Sequence, residues 1–427
     1  MLLVNLHGEL GRVLSQKHIA IVGAGIVGIS TAIWLQRAGH RVTVIDREGP
    51  AAGTSYGNAG ILAAIAIVPV SVPGIWKKAP AMLLDPKQPL FIRLSHLPKM
   101  ASYLWRFLKN SSNDRVNHIA SALTAMIQDS VVQHQSLANG TGAERFIEEG
   151  SYVFGYDTKQ SYEKDAYAWQ IRREQGFEFV EMGPQEIAAY DPALIGRFGF
   201  AVRCPNHGHI TDPGAYVKAL AEHMVQEGGT LQTADVQDVE CENGEARRLI
   251  TTEGPIDADH IVVASGVWSG DLAKKLGVKV SLQAERGYHV EFVNPSIKLK
   301  GPTMVAAAKF AMTPMEGRLR CAGIVEYAGI DDAPSKVPID LLMAETKRIM
   351  PELTYDRIET WMGRRPSTVD SLPLIGPVKQ VPNVWTGFGH QHIGLTAGPK
   401  TGRWLADMIS GRKPNIDLSA FDANRFS

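Results

Sequence analysis

The sequence predicts an α/β protein: a parallel sheet assembled from separate stretches of chain, joined to an α+β unit built on a largely antiparallel sheet. Three observations predict it. An early run, "HIAIVGAGIVGISTAIWLQRAGHRVTVIDRE", reads as strand, glycine turn, helix and second strand. A late run, "IDADHIVVASGVWSGDLAKKLG", reads as a buried strand ending in a Ser-Gly turn and a helix. Alternating patterns such as "GYHVEFV" and "GRLRCAGIVEY" predict a separate antiparallel sheet over about 280–330.

The elements follow in order. Residues 1–17, "MLLVNLHGELGRVLSQK", lack the basic start and long apolar run of a secretory signal and read as a short tail. After the βαβ unit, the apolar stretch 60–76, "GILAAIAIVPVSVPGIW", falls short of the roughly 20 residues a spanning helix needs. It is also broken by Pro69, Ser71 and Pro73, so it reads as a buried loop rather than a membrane contact. Helical spacing dominates 82–139, as in "SALTAMIQDSVVQHQSLA", and predicts a helical excursion away from the sheet. "GSYVFGYD" alternates as a strand, "SYEKDAYAWQIRREQG" reads as a polar-faced helix, and "TDPGAYVKALAEHMVQEGGTLQTADVQDVECENG" reads as a capped helix followed by strands. "GRRPSTVDSLPLIGP" is a turn-rich stretch leading into a strand, and "NVWTGFGHQHIGLTAGP" supplies a last strand, a glycine-rich turn and a helix.

A chain of 427 residues can bury a sizeable core and hold two or three domain-sized units. Its 44 basic and 44 acidic residues cancel, so no global field draws it to nucleic acid and any anion must be bound locally. Cys204, Cys241 and Cys321 are too few and too scattered for a disulfide framework or a Cys-x-x-Cys site, which fits a reducing, cytoplasmic setting.

Gly23, Gly25 and Gly28, with Ala24, Ile26 and Val27 between them, form Gly-x-Gly-x-x-Gly between a strand and a helix. Such glycines allow a tight turn, close approach of backbone to a pyrophosphate and close helix packing, while the helix start offers free N–H groups. Asp46, followed by Arg47, ends the second strand about 20 residues on, where a carboxylate meets ribose hydroxyls. This is a Rossmann-like dinucleotide site. NAD and FAD share the fingerprint, and three features favour FAD. Small residues recur at Thr54, Ser55, Asn58, Ala59 and Gly60; the late strand ends at Ser265 and Gly266; and a distant helix start follows Gly389 to Thr396. An extended flavin dinucleotide needs such a final contact, and a nicotinamide does not. No Gly-x-Ser-x-Gly or His-Glu-x-x-His appears. The histidine pairs at 207/209 and 390/392 lack an evident third ligand, so no metal site is expected.

At these residues the sequence resembles the D-amino-acid oxidase-like flavoproteins, within them the bacterial D-amino-acid dehydrogenases. The likeness runs from about residue 18 to the "WLADMISGRKP" helix and is most specific in "TSYGNAG", "GRRPSTVDSLPLIGP" and "GHQHIGLTAGPKTG". It implies that Gly23, Gly25 and Gly28 hold the pyrophosphate and Asp46 the ribose. It places Ser55 and Asn58 to Gly60 at the flavin edge and Val236 at the adenine. His390, Gln391, His392, Ile393, Gly394, Leu395 and Thr396 would cover the pyrimidine end of the ring.

It further implies oxidation of a D-amino acid to a 2-oxo acid and ammonia by hydride transfer to non-covalent FAD. A respiratory quinone or other acceptor would take the electrons, and the protein would attach peripherally to the inner face of the cell membrane. Arg365, before Pro366, matches the arginine whose planar fork holds the substrate carboxylate. Tyr288 is the expected second ligand, with Arg286 and His289 beside it either tuning the pocket or facing solvent. Arg364, alternating with Arg365, is expected in an outer ion pair.

Within the same chemistry the alternatives are a glycine, sarcosine or cyclic imino acid oxidase. An NAD-linked dehydrogenase would want a second glycine fingerprint, and a flavin module acting on modified tRNA would want a basic stripe. The expected organisation is a discontinuous FAD-binding domain of 18–75, 211–279 and 361–427, with a substrate domain of 76–210 and 280–360.

Overall fold

The computed structural model describes residues 16–75, 90–93 and 96–426. The first fifteen residues and Trp76, which closes the apolar stretch, lie outside them.

Residues that read as uninterrupted apolar runs form the centre of a six-stranded sheet, because strands covered on both faces have no polar side to show. Its order is Leu374–Val378, Val381–Phe388, His260–Val263, His18–Val22, Arg41–Asp46, Thr230–Thr233. Neighbours run parallel except at the edge, where Leu374–Val378 and Val381–Phe388 are antiparallel. His18–Val22 is followed in space by Arg41–Asp46 on one side and by His260–Val263 on the other, so the connections diverge at its carboxyl end and leave a crevice there.

Helices Ile26–Arg37 and Gly394–Ile409 pack on this sheet through one apolar core. The helices Asn113–Ile127 and Ser130–Ala138 were expected to lead away from the sheet. Instead Val116, Leu123, Ile127 and Leu137 join that same core, and the two helices form an outer layer over Gly394–Ile409. Their buried stripes need an apolar partner, and that helix offers one.

The second sheet is broader than the 280–330 expectation. It has ten strands among the described residues, in the main order Arg357–Thr368, Leu282–Val293, Arg318–Tyr327, Phe310–Met315, Thr303–Val305, Ile147–Tyr156, Phe200–Ile210, Ile61–Leu62. Pairing is antiparallel apart from two short parallel contacts. A smaller antiparallel sheet runs through Val236–Glu242, Glu245–Thr251 and Gly254–Asp257. The apolar stretch after Gly60 is mostly buried, with Leu62, Ile65 and Ile67 fully covered, while Val70, at 49% exposure, and Pro73 are exposed.

"GRRPST" is not a loop. It is the end of Arg357–Thr368, an edge strand, where the N–H that Pro366 lacks is least missed.

Candidate active site

Above the carboxyl end of the parallel sheet lies a cleft of about 470 Å³, walled in part by the edge strand Arg357–Thr368. Gly23, Gly25, Ile26, Val27, Asp46, Arg47, Thr54, Ser55, Asn58, Val236, Ser265 and Gly266 line it, as do His390, Gln391, Gly394 and Leu395. The cleft thus draws its walls from stretches far apart in the sequence. Ala24, Gly28, Ala59, Gly60, Gly389, His392, Ile393 and Thr396 do not line it and support the segments that do. Gly60 N–H, for example, donates to Asn58 Oδ1 at 2.8 Å, and Thr396 Oγ1 donates to the Ile61 carbonyl at 3.2 Å.

The glycine turn has no room for side chains. Gly23 has φ +109°, and a Cβ there would stand 2.6 Å from the Ala264 carbonyl oxygen; one at Gly28 would stand 1.9 Å from the Gly23 oxygen. Helix Ile26–Arg37 starts with no side-chain cap and no acidic residue in its first turn. With no acidic side chain over it, the turn leaves room for an anion, and it fits a pyrophosphate. Asp46 ties the site together: its Oδ2 accepts from Ala24 N–H at 2.8 Å, and its Oδ1 from the N–H groups of Glu48 and Gly49 at 2.9 and 3.0 Å. Ser55 Oγ accepts from Ile26 N–H at 3.0 Å, locking the small-residue loop to the helix start.

That loop is also bound to the second sheet. Arg320 donates to the carbonyls of Tyr56 and Asn58 and to Glu291 Oε1 at 2.9 Å. His289 Nδ1 lies 3.1 Å from the Gly57 carbonyl, and its ring stacks on Trp361 at 5.3 Å. Burial lowers His289 to about 3 and His390 to about 3, so both rings are neutral at ordinary pH. Neither His289 nor Arg286 faces solvent: Arg286 is fully buried, with Nε 3.3 Å from Glu326 Oε2.

The register of Arg357–Thr368 against Leu282–Val293 builds the clamp. Arg365 stands opposite Glu285, Gly363 opposite Gly287 and Trp361 opposite His289, all on one face. The two glycines leave a bare floor. A Cβ on Gly287 would come 2.4 Å from Arg365 Cζ, and one on Gly363 would come 2.0 Å from the Trp361 ring, so guanidinium and indole both lie flat on the glycine pair. Arg365 Nη1 donates to Glu285 Oε1 at 2.8 Å; Ser367 Oγ and Tyr327 OH reach the other carboxylate oxygen at 2.9 and 3.4 Å. Burial pushes the Glu285 carboxyl up, but Arg365, His392 and Ser367 together outweigh it and the net shift is downward.

Two expectations need correction. Tyr288 faces the opposite side of the sheet from Arg365, because one strand position separates the faces; it is 1% exposed in an apolar cluster. Its OH donates to Glu326 Oε2 at 2.5 Å and accepts from Ser335 N–H at 3.0 Å. The tyrosine beside the clamp is Tyr327. Arg364, expected in an outer ion pair, lines the cleft and has no carboxylate partner among the described residues. Its Nε donates to the Ile330 carbonyl, its own carbonyl accepts from Thr54 Oγ1 at 3.0 Å, and its guanidinium lies 5.9 Å from the Trp268 ring. Arg47 lies 3.8 Å over the same ring. Trp268 and Trp361 were missed, although Trp268 follows the Ser265-Gly266 turn by two residues and could have been read as its wall.

The family model described as FAD dependent oxidoreductase (DAO) matches residues 18–408. The chain is 36% identical over 417 residues to a D-amino-acid oxidase of Bradyrhizobium diazoefficiens, covering 96% of this chain and 99% of that protein. It is 28% identical over 418 residues to a D-amino acid dehydrogenase of Chromohalobacter salexigens, with the same coverage. Among solved structures, L-proline dehydrogenase from P. horikoshii superposes with a TM-score of 0.73 at 19% identity, covering 96% and 98% of the two chains, a likeness of fold.

Proposed function

The chain belongs to the DAO family of FAD dependent oxidoreductases, and from that premise we propose that it oxidises a D-amino acid to its imino acid, which water hydrolyses to the 2-oxo acid and ammonia. The observation that carries the reading is Arg365, held flat on the Gly287–Gly363 floor beside the cofactor cleft. The two relatives named for D-amino acids support the substrate's hand.

FAD in the cleft supplies the acceptor for the α-carbon hydride. The chain's own part is positional. The Gly23–Gly28 turn and the helix start would receive the pyrophosphate, Asp46 the ribose, and the 390–395 segment the ring's pyrimidine end. Arg365 would hold the substrate carboxylate through the edge of its fork not taken by Glu285, and so orient the substrate for loss of its α-hydrogen. Tyr327, rather than Tyr288, is placed to assist. The parallel sheet with its helices would form the cofactor domain and the larger sheet the substrate cap. Electrons would pass on to a quinone or another acceptor. The flavin would be non-covalent, and the protein cytoplasmic. No helix among the described residues is long and apolar enough to cross a membrane.

Anaerobic mixing of the purified yellow protein with D- and L-amino acids, glycine, sarcosine and the cyclic imino acids tests this. Bleaching of the flavin bands by D-isomers is the expected result, and no bleaching by any D-isomer overturns the reading. Arg365→Ala should retain the yellow colour while raising the substrate concentration for half-maximal bleaching by about 100-fold or more, as loss of a charge-assisted fork contact does. Acid precipitation should release the colour into the supernatant.

A further inference from the structure

Arg365 does not wait for substrate with an empty fork. Among the described residues its guanidinium makes one hydrogen bond, to Glu285, while its side chain keeps 19% of its surface accessible. Glu285 is itself fixed by Ser367 and Tyr327 and sealed in the sheet, so it is a built carboxylate rather than a stray surface partner. The nearby His392 is lowered by burial and adds no charge at neutral pH. The Arg365–Glu285 unit is therefore electrically neutral as a whole.

We propose that Glu285 determines ligand choice at this clamp: it makes Arg365 a receptor for molecules carrying a carboxylate together with an ammonium or amine group, and weakens its hold on carboxylates that lack one.

The physical basis is that of a neutral pair. A lone arginine in a covered site attracts any carboxylate through its full charge. An arginine already paired with a buried carboxylate presents the incoming anion with attraction and repulsion of similar size, since both charges lie within a guanidinium's width of it. A positive group one carbon from the ligand carboxylate offsets that penalty, because the buried charge of Glu285 attracts it as strongly as it repels the carboxylate. The selection also acts on the product. Deamination replaces the amine by a carbonyl oxygen, so the 2-oxo acid meets the repulsion without the compensating cation, and its release is favoured. This deepens the proposed function and rests on its placement of the substrate carboxylate at Arg365.

Propionate and alanine differ by one amino group and make a matched pair. Binding of propionate, D-alanine and L-alanine to the flavin-loaded protein can be followed by the shift each causes in the flavin bands, with anaerobic reduction read separately. In Glu285→Gln the dissociation constant of propionate should fall about tenfold while that of alanine stays the same or rises, so that the preference for alanine shrinks by about tenfold or more. Glu285→Asp, which keeps the charge, should retain most of the wild-type preference and shows that the change follows charge rather than damage. Equal changes for both ligands, or none, overturn the proposal and leave Glu285 a residue that merely positions Arg365. Failure of every D-amino acid to reduce the flavin would instead overturn the substrate reading, with the propionate-to-alanine comparison still judging Glu285.

Discussion

Arg364 and Arg365 are adjacent and chemically identical, yet one lines the cofactor cleft and the other lies on a glycine floor against a buried carboxylate. Tyr288 shows the same lesson of alternation, because its hydroxyl serves Glu326 and Ser335 on the far face. Tyr288→Phe should lower stability by about 1–3 kcal/mol, since it leaves a buried carboxylate short of a donor. It should leave substrate affinity within about twofold, and denaturant unfolding together with a saturation curve checks both. A large rise in the Michaelis constant would return Tyr288 to the substrate site. Arg365 stood out in the sequence through the family resemblance, in which an arginine precedes a proline at the substrate carboxylate. The sequence could not reveal Glu285, since nothing in "QAERGYHVEF" distinguishes a carboxylate aimed at a facing strand from one aimed at water until the register is known. Trp361 was hidden for the same reason.

At the level of elements, glycines decide what can be placed where. Gly28→Ala would put a methyl group 1.9 Å from the Gly23 oxygen, so the turn must open and the protein should purify colourless or with its flavin content cut by about tenfold or more. Gly287→Ala acts elsewhere: its methyl group displaces the Arg365 guanidinium, 2.4 Å away, and should raise the Michaelis constant about tenfold or more with the flavin still bound. Flavin absorbance per chain and steady-state kinetics separate the two, and a colourless Gly287→Ala would contradict the distinction. The parallel strands were legible as unbroken apolar runs with their turns attached. The larger sheet was legible only in part, because strands such as Thr303–Val305 and Ile61–Leu62 are two or three residues long and owe their existence to distant partners.

Across the whole molecule, burial of histidine is the most general electrostatic feature. His134 and His207 are lowered by burial to about 4, and His289 and His390 to about 3. Each is neutral in the folded chain and takes up a proton near 6.5 when the chain unfolds. Between about 6.5 and 4 the unfolded state therefore binds more protons, and stability falls as pH falls. At pH 5.5 each group costs on the order of 1 kcal/mol, and the four together on the order of 5 kcal/mol. The melting temperature should drop by several degrees between pH 7 and 5.5, and a flat profile would refute this account.

The route of the backbone through the parallel sheet carries a consequence for biosynthesis. The strand Val381–Phe388 pairs with His260–Val263 inside the sheet, and the 390–395 segment closes the cleft that begins at Gly23. The glycine turn emerges from the ribosome early, but the cleft lacks a wall until residues 381–395 follow, roughly 20–70 s later at about 5–20 residues per second. Until then a growing chain exposes an unpaired strand edge and apolar helix faces without the ligand that could compensate them. On the proposed placement of the flavin, its capture would be a late event in the life of the nascent polypeptide, and a message cut short before residue 381 would yield a chain with the full fingerprint and an unfinished cleft.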